Sequence, residues 1–228
     1  GDQLLPSYSK GNPQIPTENY QILREAFEKQ QEHRRQQLKL IFFPKKKLPL
    51  GLPDGYKVTR YTGSEAEILD WVEICKNGLV GENAGREVFE DAILNLSCVN
   101  PCTDVFFIEN AAGKRIATVT AMDDYLGTGM GGVHMVSVAS SERGKGLGHV
   151  LCRIAENKLC QSHVRMARLT TDEWRKGACK AYLKAGWYPV NHDDDMVERW
   201  TNVITEHGIE SVQMVTDNGE PDVVIHAK

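Results

Sequence analysis

Long hydrophobic runs are missing from this sequence of 228 residues. No stretch approaches the ~20 consecutive apolar residues that a bilayer-spanning helix needs, so a membrane is not an expected partner. No signal-peptide pattern opens the sequence, and Gly1 in place of Met reads as a scar of processing or of a tag. An excess of positive charge is missing as well. Lys and Arg number 27 against 31 Asp and Glu, a formal net charge of −4. That balance gives nucleic acid no electrostatic footing. Six cysteines are present, but not in metal-binding pairs. Cys98 and Cys102 are separated by three residues instead of two, and no second pair with histidines completes a zinc set. Free thiols, a cytoplasmic location and no metal are therefore expected. Nothing in the sequence places a cysteine beside a histidine, as an acyl-cysteine intermediate would need. The run His192-Asp193-Asp194-Asp195 cannot turn three consecutive aspartates onto one ion without a loop, and charge at the start of the following helix accounts for it. No internal repeat is visible.

What remains is ordinary globular composition, 41% hydrophobic and 25% charged, at a length suited to one large domain or one domain with an extension. One segment stands out. Val133 to Ala139 is a short apolar run with the look of a buried strand. Ser140-Ser141-Glu142 follows as a loop, then Arg143-Gly144-Lys145-Gly146-Leu147-Gly148, then an apolar helical pattern through Leu159. Strand, glycine-rich turn and helix start together form an anion cradle. Glycines let backbone approach a ligand, and the first amides of a helix lack internal partners and carry the positive dipole end. A pyrophosphate fits such a place, with Arg143 and Lys145 adding charge beside it.

Three glycine-loop chemistries compete. A nucleoside-triphosphate loop ends in Gly-Lys-[Ser/Thr], whereas His149 follows Gly148 here. A dinucleotide loop reads G-x-G-x-x-G, and His149 stands at its third glycine. A literal G-x-G-x-x-G does occur at Gly127, Gly129 and Gly132, but ahead of a strand; it reads as a flexible loop. The third chemistry fits. Arg143, Gly146 and Gly148, entered from a strand with Val136 and Val138, resemble the R-x-x-G-x-G motif of the GNAT superfamily of acyl-CoA-dependent N-acyltransferases. Ala178 to Trp187, with Tyr182 and Gly186, resembles the family's later A-x-x-x-Y-x-x-x-G-[FY] motif, Trp replacing the last aromatic. The two motifs stand one helix and one strand apart, as in the family.

The resemblance covers roughly residues 56–200. It implies an α/β fold (α+β, one mixed sheet with helices on both sides) in the order β-α-α-β-β-β-α-β-α-β. The residues supply the elements. Tyr56 to Thr62 alternates as a strand. Ser64 with Glu67 starts a capped helix carrying Ile68, Trp71, Val72, Cys75 and Leu79. Glu87 to Leu96 reads as a second helix. Asp104–Asn110 and Arg115–Met122 read as a hairpin. Gly148–Ser162 reads as the cradle helix, Arg165–Thr170 as a strand, and Arg175–Ala185 as a helix stopped by Gly186. Trp187–Val190 begins a sixth strand, and Met196–Glu206 is helical. Residues 1–55 are expected to form an arm, a helix from Glu18 to about Lys39 capped by Thr17, and a linker through Lys45-Lys46-Lys47. Leu40 to Phe43 reads either as a short strand or as a hydrophobic plug, and residues 17–43 are available to pack on a second copy. Residues 56–207 would be the acyltransferase domain, and 208–228 a tail hairpin around Asp217-Asn218-Gly219.

The reaction that the resemblance implies moves an acetyl or other short acyl group from acetyl-CoA to an amine. The amides of Gly144, Lys145, Gly146, Leu147 and Gly148 would seat the diphosphate, with Arg143 bracing the loop. The backbones of Val136 and Val138 would pair with the pantetheine arm. Tyr182 would protonate the departing thiolate. An ammonium of pKa ~10 must lose a proton before it attacks. Some relatives use a strand glutamate for this, close to where Gly132 stands here. His134, two residues on and on the same strand face, has the ordinary pKa of a general base, ~6.5. Asp123 and Asp124 could bind a cationic acceptor or act through water. A scaffold that binds acyl-CoA without catalysis is the alternative.

Overall fold

The computed structural model describes residues 36–76 and 78–228. Leu38–Lys228 form one compact unit. The arm over residues 1–16 and the helix expected from Glu18 lie outside the described residues up to residue 35. Where that helix was expected to end, Leu38 and Lys39 instead open a strand, β1 (Leu38–Phe42).

Seven strands form one mixed sheet. After β1 come β2 (Lys57–Arg60), β3 (Val105–Glu109), β4 (Arg115–Met122), β5 (Gly131–Val138), β6 (Ala167–Thr171) and β7 (Tyr188–Pro189). Their order across the sheet is β2-β3-β4-β5-β6-β1-β7. Every pair is antiparallel except β5 with β6, which run parallel. Helices cover both faces. On one face lie α1 (Glu65–Cys75) and α2 (Arg86–Phe89), which continues as a wide π turn over Glu90–Leu94. The one-turn α3 (Pro101–Asp104) leads into β3. On the other face lie α4 (Leu147–Gln161), α5 (Lys176–Ala185) and α6 (Met196–Glu206). We call these the front and back faces.

The local chemistry explains most of these elements. Ser64 accepts from the Glu67 amide while the Glu67 carboxylate reaches back to the Ser64 amide, a complete capping box. In α4, Leu147, Val150, Leu151, Ile154, Ala155 and Leu159 recur at i, i+3, i+4 spacing and are all buried. Gly186 stops α5 at φ 90. The second helix is shorter than its apolar pattern promised, because the Asn95 amide bonds back to the Glu90 carbonyl five residues away and widens the turn.

Three findings exceed or correct the sequence reading. First, β1 sits between β6 and β7 and pairs with both, Leu40 opposite Leu169 on one side and Pro189 on the other. Leu38 and Leu40 enter the main core, and Phe42 stacks on Trp187 with ring centroids 5.3 Å apart. The segment behind it is held to α4: the Asn157 amide side chain accepts from the Leu48 N–H and donates to its carbonyl. Second, Gly127 to Gly132 is not a loop throughout. Tyr125–Gly127 is a 3-10 turn, and Gly131 and Gly132 belong to β5. A Cβ on Gly131 would stand 2.7 Å from Leu159 Cδ2, so close helix-sheet packing demands the glycine. Third, the sixth strand shrinks to two residues, one of them Pro189, which has no N–H to extend the ladder. After α6, β8 (Ser211–Val215) and β9 (Pro221–His226) form an antiparallel hairpin. Among the described residues, no helix is long and apolar enough to cross a membrane.

Candidate active site

The site begins where β5 and β6 separate. Their pairing covers only Gly131 with Ala167 and Gly132 with Arg168. Beyond that rung the strands diverge, and among the described residues nothing pairs with the backbone of Val133 to Val138 on its β6 side. Six residues at about 3.3 Å each give a slot of roughly 20 Å, comparable with an extended pantetheine arm.

A bulge sets what faces this slot. Thr120 opposes His134 and Thr118 opposes Ser137, so Val119 faces two residues of β5. Met135 absorbs the extra residue with φ 51, a left-handed conformation for a non-glycine residue. The alternation of side chains inverts there. Val133 points back; His134, Met135 and Ser137 point to the front; Val136 and Val138 pack on the back core under α4. The two valines therefore offer the slot only their backbones.

At the wide end of the slot, a 3-10 turn at Ser140–Glu142 leads into the glycine loop. Gly144 and Gly146 take φ 81 and 78, and Gly146 caps α4 without any side-chain bond. Among the described hydrogen bonds, none uses an amide of residues 144–148 as donor. Five consecutive N–H groups thus stand ready at the positive end of a 15-residue helix. Lys145 is less available than its position suggests. Its ammonium bonds Glu142 at 2.8 Å, and Glu142 also receives the Tyr56 hydroxyl.

His134 is mostly sequestered beneath the π turn. Burial pushes its pKa below the ordinary range, and a hydrogen bond with the Ala92 backbone pulls partly the other way. Among the described residues its buried Nε2 has no partner, and neither has the wholly buried Thr120 hydroxyl across the strand pair. Nothing in the sequence singles out Thr120. On its own it is one more strand threonine, and only the register brings it opposite His134. Tyr182 lies on the back face, 6% exposed, its ring 6.2 Å from that of Trp187. Burial raises its phenol well above the usual range, reinforced by Cys152 and Cys179. Trp187 in turn donates to the buried Glu156 carboxylate at 3.0 Å.

Asp123 and Asp124 stand beyond the closed end of the β5–β6 pair. Asp123 accepts from Lys158 at 2.6 Å, and Asp124 accepts from the Gly129 amide at 2.8 Å. With Asp104 and Cys98 they line a cavity of about 520 Å³. The buried thiols of Cys75, Cys152 and Cys179 are raised by desolvation, Cys179 to about 12, so none supplies thiolate near neutrality. Among the described residues, no group of three or more His, Cys, Asp or Glu is placed to hold a metal ion.

A family model described as the acetyltransferase (GNAT) family matches residues 66–187. No curated protein matches. Among solved structures, a GCN5-related N-acetyltransferase from Sphaerobacter thermophilus is similar over 73% of this chain and 53% of its own, at 16% identity and a TM-score of 0.54. A fungal GCN5-related glucosamine N-acetyltransferase region, part of a multi-domain GH3 β-N-acetylglucosaminidase, is similar over 81% of this chain and 24% of that one, at 18% identity and a TM-score of 0.51. This chain spans about half the length of the first of these structures. At such identities the likeness establishes the shared fold.

Proposed function

Because the chain belongs to the GNAT acetyltransferase family, we propose that it moves an acetyl or other short acyl group from acetyl-CoA to a primary amine, by direct attack within a ternary complex. The observation that carries this reading is the join of two features, each without a partner among the described residues: five amides at the α4 N-terminus and a strand edge leading from them to the last β5–β6 rung. A diphosphate suits the first and an amide-bearing arm suits the second.

In this reading Arg143 braces the loop, and the backbones of Val136 and Val138 hold the arm. The thioester then lies near Val133 and His134, and β5 amides face its carbonyl oxygen as charge develops there. His134 takes the proton from the acceptor ammonium, directly or through water. Its depressed pKa keeps the ring neutral, hence basic, to lower pH than usual. Tyr182 returns a proton to the thiolate. Its raised pKa keeps the phenol protonated throughout the working range, so it serves only as a donor.

Incubation with acetyl-CoA and a panel of amines, following free thiol, tests the reading. Acyl transfer should release coenzyme A with at least one amine. Tight acetyl-CoA binding with no release from any amine would reassign the protein as a non-catalytic acyl-CoA scaffold. Tyr182→Phe should lower kcat by about 100-fold, within the usual span for a proton donor. The acidic limb of kcat/KM should fall below the ordinary imidazole value of ~6.5 and vanish in His134→Gln. A limb at or above that value would remove His134 from the role.

A further inference from the structure

On the back face the slot is floored by the packed core that also holds Tyr182, so no acceptor enters from there. Val133, Ala167 and Leu169 there pack into the core with Leu147, Val150, Leu151 and Ile154 of α4. An acceptor must therefore reach the reacting carbon from the front face. On that face, at the last rung before the strands part, stands Arg168 opposite Gly132.

Arg168 is half-buried, and its guanidinium lies 4.7 Å from the centre of the Tyr125 ring. It has no carboxylate partner among the described residues. The acidic side chains of the flanking turns are committed elsewhere: Asp123 to Lys158, Asp124 to the Gly129 amide, and Asp217 to Lys39. The ring that carries the guanidinium is itself wedged in place. A Cβ on Gly132 would stand 2.9 Å from Tyr125 Cδ2 and 3.0 Å from its Cβ, so the ring occupies the space that any larger residue there would need. Gly132, Tyr125 and Arg168 thus form one packed unit that presents a guanidinium where β5 and β6 separate.

We infer that Arg168 reads the acceptor, and that the acceptor is an amine bearing an anionic group, carboxylate or phosphate, a few atoms from its nitrogen. The inference rests on the acyl-transfer reading above. A planar guanidinium stacked on the Tyr125 ring donates two parallel hydrogen bonds to such a group, leaving the amine to face His134, two residues beyond Gly132 on the same face of β5. The same unit explains why no carboxylate base stands at position 132: the ring fills its place, and a carboxylate there would compete for the guanidinium.

The test pairs each anionic acceptor with a neutral one of the same skeleton. One pair is an α-amino acid and its amide; the other is an amino-sugar phosphate and the free amino sugar. Thiol release from acetyl-CoA is followed, and the two pairs separate carboxylate from phosphate. The native protein should prefer the charged member of one pair by at least about tenfold in kcat/KM, the scale of a charge-assisted hydrogen bond. Arg168→Gln should erase that preference, mainly through KM, and Arg168→Lys should restore part of it. Tyr125→Phe, which keeps the ring, should behave as the native protein. Persistence of stabilisation by coenzyme A in each variant reports an intact fold. Equal use of charged and neutral acceptors overturns the inference alone. So does an equal fall in kcat for every acceptor in Arg168→Gln, which would place the guanidinium at the reacting carbonyl. Absence of thiol release with every amine removes the transferase reading, and this inference falls with it.

Discussion

Gly146→Glu is expected to weaken coenzyme A binding by about 100-fold or more while leaving the protein folded. A carboxylate within about 4 Å of a diphosphate charge costs roughly 1 to 4 kcal/mol over the dielectric range of a protein surface, and every 1.4 kcal/mol is tenfold in affinity. Gly146 also caps α4 at φ 78, which other residues adopt at a cost of about 1–2 kcal/mol. Nothing lies within 4 Å of the position a Cβ would take, so the substitution meets no packing. The strain is small against a typical domain stability of about 5–15 kcal/mol. Gly146→Ala separates the two effects, since it adds the strain without the charge and should lower stability by about 1–2 kcal/mol while leaving the affinity for coenzyme A within a few-fold. Titration calorimetry with coenzyme A, beside thermal melts of the free proteins, reads both. A Gly146→Glu protein that melts normally and binds coenzyme A normally would remove the glycine loop from the site.

The second large effect concerns the fold. A chain starting at residue 56, where the family-like pattern begins, is expected not to fold, and Leu40→Asp in the full chain should destabilise it by about 4 kcal/mol or more. Leu38 and Leu40 are fully buried and Ile41 nearly so. Each contributes roughly 1.5–3 kcal/mol through burial. Without β1, the inner edge of β6 and all of β7 lose their ladder partners, and Trp187 loses the ring stacked on it. Circular dichroism and denaturant titration of the two variants decide the matter. A shortened chain with a cooperative unfolding transition and undiminished coenzyme A binding would show that β1 is dispensable.

The glycine loop is legible in adjacent residues: the strand, the glycines and the helix pattern are consecutive, and their interactions are local. The same holds for the Ser64–Glu67 capping box, the apolar stripe of α4 and the Gly186 stop. The place of β1 in the sheet is not legible in this way. Leu40 to Phe43 is an apolar run that fits a strand or a plug equally, and its partners lie about 130 to 150 residues away, at Leu169 and Pro189. Periodicity says that such a segment is buried, not against what.

Within the site the division is similar. The family resemblance pointed to Val136, Val138 and Tyr182, and the strand pattern pointed to His134. Neither could show the bulge at Met135, because an extra residue is defined only relative to Val119 on the neighbouring strand. That bulge turns Val136 and Val138 to the back core and keeps His134 at the front. Thr120 and Arg168 carried no signal of their own; the first is singled out by its register with His134, the second by its rung with Gly132 and the ring of Tyr125.

By itself, then, the chain's order of residues determined the glycine loop, the capped start of α1, the apolar stripe of α4, the Gly186 stop and the family, because caps and apolar stripes act over a few residues. Tertiary structure decided which strand completes the sheet, which way the slot's side chains turn and which cation waits at its end. Those outcomes depend on pairings between distant strands, whose register is set by how the whole core packs and is written in no single segment.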